Sequence, residues 1–170
     1  YYFPFKNNVL FSVGSDGLMS FPNHGWGIQI HVKNSSKNTT EPFFKEYPTI
    51  NCNAPFIESS QKINDLICKS SLCFDDKSTT GELSLSFQNK NVKSRKITIC
   101  IAIIPYVQEG IGAIKEIQYL SNDSFLINDS SRIQFEQSPT NIVCSEFSNG
   151  DIFNVSLNWD MVLSAKCNDF

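Results

Sequence analysis

The segment WGIQIHVK, residues 26–33, decides the fold class. Apolar side chains occupy every second position: Trp26, Ile28, Ile30 and Val32. A period of two is typical of a β-strand that buries one face and leaves the other in water. The same alternation recurs in residues 83–87 and 153–160. The repeated pattern predicts antiparallel sheets, each with one face packed on a core.

Residues 97–104 differ, because they are apolar on both faces and end at Pro105. This pattern predicts a central strand. We expect it to pair with residues 83–87 as a hairpin that is connected by the polar residues 88–96. Further strands are expected at four places: residues 9–13, 114–120, 132–135 and 141–144.

Helical spacing appears in residues 60–68, where Ile63, Leu66 and Ile67 share one helical face and Ser59 or Ser60 fits an N-cap. Residues 109–120 also fit a helix, although Gly110 and Gly112 weaken it. Residues 42–56 have no clear period and predict an ordered loop with its aromatic side chains turned inward.

The expected architecture is therefore a single domain over residues 1–170. It is an antiparallel two-sheet β-sandwich of seven to eight strands, with one or two short helices and disulfide bonds. A chain of this length is typically one domain with one core.

Six cysteines indicate the compartment: Cys52, Cys68, Cys73, Cys100, Cys144 and Cys167. Their number is even and no C-x-x-C pair occurs, and neither histidine lies near a cysteine in sequence, so disulfides are favoured over zinc. Fifteen pairings stay open. Disulfides are typical of secreted proteins and of ectodomains displayed on a surface.

Five N-glycosylation motifs agree with that location: Asn34, Asn38, Asn122, Asn128 and Asn154. Asn154 falls on the polar face of its predicted strand, and the others fall at strand ends or in loops. Only 18% of the residues are charged, so Ser, Asn and Thr must supply much of the polar surface. The excess of Asn, Ile and Lys favours AT-rich coding DNA, as in some viruses and protozoa.

Several functional classes are disfavoured. The net charge of −3 and only two arginines argue against nucleic-acid binding. The longest apolar run is too short to cross a bilayer. With two histidines, scattered carboxylates and no G-x-S-x-G or phosphate-binding motif, we expect neither catalysis nor a bound cofactor or metal.

Two places are candidates for partner binding. Residues 90–96 carry four cations: Lys90, Lys93, Arg95 and Lys96. The interpretation we favour is a charged loop that keeps an Ile-rich hairpin soluble, and the alternative is a patch that attracts an acidic partner or a sulfated glycan. His24 and Trp26 lie at a turn, where they are able to touch a partner. His31 falls on the polar face of its strand and is expected to be exposed.

Two functions fit these features. The first is a secreted or surface-displayed glycoprotein domain that binds another protein, for example a viral or parasite ectodomain that acts on a host molecule. It would act alone, as a homo-oligomer or as a subunit of a larger surface assembly. The alternative is a secreted carrier of a lipid or another apolar ligand inside a β-cup.

Overall fold

The computed structural model describes residues 2–4, 10–14, 18–21, 24–34, 39–43, 49–53, 56–63, 65–75, 80–94, 96–107, 110–112 and 114–142. This part of the chain is mainly β, with antiparallel sheets and no α-helix. Its strands are β1 (Tyr2–Pro4), β2 (Leu10–Val13), β3 (Met19–Phe21), β4 (Trp26–Asn34), β5 (Thr39–Pro42), β6 (Thr49–Asn53), β7 (Phe56–Ile63), β8 (Leu66–Asp75), β9 (Thr80–Asn89), β10 (Thr98–Ile104), β11 (Tyr106–Val107), β12 (Gly110–Ile111), β13 (Ile117–Ser121), β14 (Ser124–Ile127) and β15 (Ser131–Gln134).

The first sheet has six strands and is built around β4. Its order is β1-β2-β3-β4-β10, and β5 pairs with the C-terminal half of β4 on the side where β3 pairs with the N-terminal half. The strand expected at residues 26–33 is thus confirmed as β4. Its tight connection to β3 is closed by a bond from the Gly25 N–H to the Phe21 carbonyl (3.0 Å), with Gly25 at φ 71°. A positive φ suits glycine, which has no Cβ to clash.

The second sheet is a four-stranded meander, in the order β6-β7-β8-β9. The side chains on its two faces differ in burial, because successive side chains of a strand point to opposite sides. On β9, Leu83, Leu85 and Phe87 are half-buried while the residues between them are exposed, as the alternation in residues 83–87 predicts. The core face also carries two buried serines, and the outer face carries lysines, glutamates and serines.

One hydrophobic cluster draws on both sheets. From the six-stranded sheet it takes Val13, Met19, Ile30 and Val32, and from the four-stranded sheet Ile57, Ile63, Leu66, Cys68 and Leu72. Phe43, which follows β5, is fully buried in this cluster and meets Phe87 edge-on at 5.7 Å between ring centroids. Its inward position agrees with the expectation for the aromatics of residues 42–56.

The helix expected at residues 60–68 is wrong. These residues form the end of β7, a turn at Asp65 and the start of β8, and Ile63 lies directly opposite Leu66. In a two-residue hairpin the positions i and i+3 face each other, so the two apolar residues share a face just as they would on a helix. The helix considered over residues 109–120 is wrong too: its described residues include β12 and β13.

The hairpin expected between residues 83–87 and 97–104 is also wrong. Strand β9 pairs with β8, whereas β10 pairs with β4 in the other sheet. Residues 90–97 therefore cross from one sheet to the other. In the part of the chain that is described, β10 pairs with β4 alone, and Ile99 and Ile101 are exposed; a fully buried central strand is not what this region shows.

Of the remaining strand predictions, some are confirmed and others are not. Residues 9–13, 114–120 and 132–135 correspond to β2, β13 and β15, with boundaries shifted by a few residues. Residues 42–56 contain a strand, β6, in place of a continuous loop. Residues 141–142 are not in a strand, and the rest of that segment, like residues 153–160, lies outside the described residues.

Two smaller units complete the described fold. Strands β13, β14 and β15 form a three-stranded sheet, and β11 pairs with β12 in a short ribbon. The ribbon packs close to the turn between β3 and β4: a Cβ placed on Gly112 would come within 1.9 Å of the Gly25 carbonyl oxygen. Only glycine permits so close an approach of two backbones.

Candidate functional site

The cations that the sequence singles out lie in the crossover between the two large sheets. Lys90, Lys93 and Lys96 are exposed, and Arg95 lies outside the described residues. The crossover leaves β9 at the edge of the four-stranded sheet, where the Lys90 N–H donates to the Asp65 carbonyl at 2.9 Å. This bond continues the β8–β9 ladder by one step and fixes the start of the crossover against the β7–β8 turn.

Asparagine side chains order the crossover locally. The Asn89 amide donates to the Lys93 carbonyl at 2.8 Å, and its Oδ1 accepts the Asn91 N–H at 3.0 Å. The Asn91 Oδ1 accepts the Lys93 N–H at 3.3 Å. Such side-chain-to-backbone bonds replace the hydrogen bonds of a regular turn. The crossover is thereby held in one conformation that leaves the Val92 side chain fully exposed between two lysines.

Two further lysines join these cations through strand register. Lys62 on β7 and Lys69 on β8 are exposed on the outer face of the four-stranded sheet. Lys62 lies opposite Ile67, so Lys69 is its diagonal neighbour, with a separation of about 7–8 Å. The row that joins Lys62 and Ile67 continues to Gln88 on β9, two residues before Lys90. We call Lys62, Lys69, Lys90 and Lys93 the basic patch.

The outer face is electrostatically asymmetric. Glu58 lies four residues from Lys62 along β7, about 13 Å away at the usual rise of a strand, and Glu82 lies at the same far end on β9. Two carboxylates lie near the patch. Glu58 is opposite Ser71 and is therefore the diagonal neighbour of Lys69, and the Asp65 Oδ2 accepts from the Asn91 amide at 3.5 Å. Within the described part of the chain, none of the four patch lysines forms an ion pair. Because the whole chain carries −3, this end of the sheet opposes the charge of the rest.

His24 and Trp26 are placed away from the basic patch. They lie at the start of β4, whereas the crossover joins β10 beside the end of β4, where Thr98 pairs with Lys33. Trp26 is 4% exposed and packs on Phe21 with 4.4 Å between ring centroids. His24 is half-buried, and its Nδ1 lies 3.2 Å from the Ser131 hydroxyl of the three-stranded sheet. Both side chains are engaged within the domain.

The expectation that His31 is exposed is wrong. His31 lies opposite Cys100 on the face of β4 that points away from the main cluster, and its exposure is only 9%. That face also carries the buried Ala102 and Ile104, which form a second cluster with Leu18. Both faces of β4 thus carry buried residues, and the alternation in residues 26–33 does not mark one of them as exposed to solvent.

The glycosylation motifs fall in different surroundings. Asn122 is exposed at the turn between β13 and β14, where its Oδ1 accepts the Tyr119 hydroxyl at 2.7 Å. Asn128 is half-buried with φ 50°, and its Oδ1 accepts the backbone N–H groups of Lys115 (2.8 Å) and Glu116 (3.3 Å). Asn34 ends β4, and nothing is described of its side chain; Asn38 and Asn154 lie outside the described residues.

No disulfide joins Cys68, Cys73 or Cys100 to one another in the structure. Cys68 is fully buried in the main cluster, and the other two are half-buried. Burial raises the pKa of the Cys100 thiol, and the positive charge of Lys33 lowers it by less. The described residues contain no group of three or more metal-binding side chains and no helix long and apolar enough to span a membrane.

The sequence alone points to only half of the basic patch. Lys90 and Lys93 stand out because they are close in sequence, whereas Lys62 falls within the segment whose spacing predicts a helix and Lys69 directly follows it. Had residues 60–68 been interpreted as a hairpin around Asn64-Asp65, the pairing that places Ile63 opposite Leu66 would also have placed Lys69 opposite Ser60. Comparison with models of protein families, with curated proteins and with solved structures finds no match for this chain.

Proposed function

We propose that this chain is a secreted or surface-displayed recognition domain that binds an acidic surface of another protein through the basic patch. The observation that carries the proposal is the convergence of four exposed lysines, from two strands and the crossover, in a chain whose net charge is negative. Clustered charge of one sign attracts a partner of the opposite sign and accelerates its association.

The ordered crossover adds an apolar contact to this charge. Val92 projects fully into solvent between Lys90 and Lys93, in a loop whose conformation the Asn89 and Asn91 side chains fix. A loop that is ordered before binding loses less conformational entropy when a partner is bound. The partner expected from this geometry has carboxylates around a shallow apolar depression.

In the same proposal, the two large sheets pack face to face as a β-sandwich. The shared cluster of Val13, Met19, Ile57 and Leu72 supports this packing. Between these residues lies a cavity of about 20 Å³, enough for one water molecule. Drug-sized ligands need roughly 300–1,000 Å³, so the described interior favours recognition over the lipid carrier.

Location in an oxidising extracellular space rests on the cysteines and on the exposed glycosylation motif at Asn122. Asn122 stands at a hairpin turn with its amide nitrogen available, which is the position that a glycan needs. Glycosidase treatment of the protein from its native source tests this directly, because loss of mass at Asn122 identifies a chain that passed through the secretory pathway.

The test of binding compares single charge reversals. Lys69→Glu and Lys115→Glu change the net charge equally, but Lys115 precedes β13 and lies outside the patch. The wild-type protein is immobilised, extracellular proteins are passed over it, and a saturable partner is measured with each variant. We expect Lys69→Glu to weaken binding about tenfold or more, which is 1.4 kcal/mol, and Lys115→Glu to leave it unchanged.

Salt provides the second readout. Wild-type affinity should fall between low and physiological ionic strength, because exposed charges are screened over about 8–10 Å. Equal affinity of the two variants would overturn the role of the patch. Retention of a sulfated glycan in place of a protein would reassign the partner class, and a stoichiometric lipid in the solvent extract would establish the carrier.

A further inference from the structure

Strand register separates the cysteines of the four-stranded sheet. Cys52 on β6 lies opposite Ile57 on β7, which in turn lies opposite Leu72 on β8. Strand β7 therefore stands between Cys52 and the strand that holds Cys68 and Cys73. Two strand spacings amount to about 9.6 Å, and Cys68 lies a further four residues along β8 from Leu72.

A disulfide does not reach across such distances. Bonded cysteines usually have Cα atoms about 4.4–6.8 Å apart. Cys68 and Cys73 are five residues apart on β8, which is about 16 Å, and their side chains point to opposite faces. No two of Cys52, Cys68 and Cys73 are thus able to bond to each other in this sheet.

Cys100 is separated from these three by the six-stranded sheet itself. It lies opposite His31 on β10 and shares a face with Ala102 and Ile104, which belong to the second hydrophobic cluster. The cluster that joins the two large sheets lies on the other face, with Ile30 and Val32. The Cys100 side chain consequently points away from the four-stranded sheet.

We infer that no disulfide joins any two of Cys52, Cys68, Cys73 and Cys100, so that every intrachain disulfide of this protein includes Cys144 or Cys167 and the chain forms at most two such bonds and not three. The four cysteines in described strands are unable to bond to one another, because Cys52, Cys68 and Cys73 are too far apart and the Cys100 side chain points away from the sheet that holds them. Each is left with Cys144 or Cys167 as an intrachain partner, unless those two bond to each other. This inference goes beyond the proposed function and does not depend on it.

Formation of these bonds requires an oxidant, which is a disulfide such as oxidised glutathione. The thiolate of one cysteine attacks the oxidant, which forms a mixed disulfide and releases one glutathione thiol. The second protein thiolate then displaces the other glutathione. Overall, two protein thiols lose two electrons and two protons, and one glutathione disulfide is reduced to two thiols. At least two cysteines of the chain keep a thiol or bond to a second chain.

Peptide mapping tests the inference on the full chain. Trypsin cuts after Lys and Arg and places each cysteine in its own peptide: residues 46–62, 63–69, 70–77, 97–115, 133–166 and 167–170. The folded protein is oxidised with glutathione, its monomer is isolated, thiols are blocked in denaturant without reductant, and the digest is analysed by mass spectrometry. We expect every cross-link to contain residues 133–166 or 167–170, and at least two blocked thiols.

A cross-link between any two of the first four peptides would overturn the inference, and so would a monomer with three cross-links. The double variant Cys144→Ser, Cys167→Ser gives an independent check, because it should form no intrachain disulfide. Its matched control, Cys52→Ser with Cys73→Ser, retains Cys144 and Cys167 and should lose only those cross-links that contain residues 46–62 or 70–77. If the first variant does not fold, the map of the wild-type chain decides alone.

Discussion

Two buried serines on the core face of the four-stranded sheet allow a quantitative test of the proposed packing of the two large sheets. Ser59 on β7 and Ser70 on β8 lie opposite each other, are 6% and 7% exposed, and share a hydrogen bond of 2.7 Å between their hydroxyls. They line the 20 Å³ cavity together with Val13 and Met19 of the other sheet. Their burial is expected if the six-stranded sheet covers this face, as we propose.

The expected loss of unfolding free energy depends on whether a substitution leaves a buried hydroxyl without a hydrogen-bond partner. Ser59→Ala removes one partner and leaves the Ser70 hydroxyl buried without its bond, which costs about 1–3 kcal/mol. A water molecule fits the cavity and would bring the cost toward the lower end of that range. The double variant Ser59→Ala, Ser70→Ala removes both hydroxyls, so its loss of unfolding free energy should be close to zero.

A double-mutant cycle by urea unfolding measures these terms. The wild type, both single variants and the double variant are unfolded in reductant, which removes any contribution from disulfides. We expect each single variant to lose about 1–3 kcal/mol, so the double variant should be more stable than the sum of the single losses predicts, by about 2–6 kcal/mol. Additive losses within about 0.5 kcal/mol would refute the reasoning, because they would show that both hydroxyls are in contact with water and that the sheets do not pack as described.

Three further substitutions address other contacts. Asn128→Ala removes an acceptor of two backbone N–H groups at a positive φ, and should lower the free energy of urea unfolding of unglycosylated protein by about 1–3 kcal/mol. Gly112→Ala forces its Cβ against the Gly25 carbonyl and should cost about 1–3 kcal/mol in the same assay. Lys33→Met removes the charge that lowers the pKa of Cys100, so this pKa rises further; less thiolate then exists near pH 8, and alkylation of the peptide with residues 97–115 should slow at low salt. Unchanged stability in the first two variants, or an unchanged alkylation rate in the third, would contradict the contact concerned.

The alternation of apolar and polar residues was sufficient to predict where strands form, but not which strands pair with each other. The strand at residues 26–33 and the strand at residues 83–87 are both present, because each has one apolar face that a single sequence segment defines. Pairing depends on long-range contacts that no local pattern encodes. Residues 83–87 and 97–104 are close in sequence and yet belong to different sheets, since the crossover between them leads to β4.

The failed helix has a specific physical cause. A helix and a two-residue hairpin both bring positions i and i+3 to one side, so the spacing of Ile63 and Leu66 fits either structure. The polar pair Asn64-Asp65 between them is the distinguishing signal, because Asn and Asp favour turns and are poor residues for a helix interior. His31 lies on a face where the β4 residues are polar but the paired strand β10 contributes the buried Ala102 and Ile104, and this pairing is not evident from residues 26–33 alone.

The same error concealed the part of the candidate site that carries the most information. A charged loop that only maintains solubility needs no partners on the neighbouring sheet face. In the structure, the hairpin that replaces the predicted helix places Lys62 and Lys69 as diagonal neighbours on the outer face, whose row through Lys62 and Ile67 leads to Gln88, two residues before Lys90. Glu82 lies at the far end of this face, and Glu58 is the diagonal neighbour of Lys69. Four lysines that form no ion pair among the described residues repel one another, which does not favour folding. The arrangement is understandable if the cations are matched by a binding partner, so the reversal at Lys69 tests the proposal more directly than any change within residues 90–96.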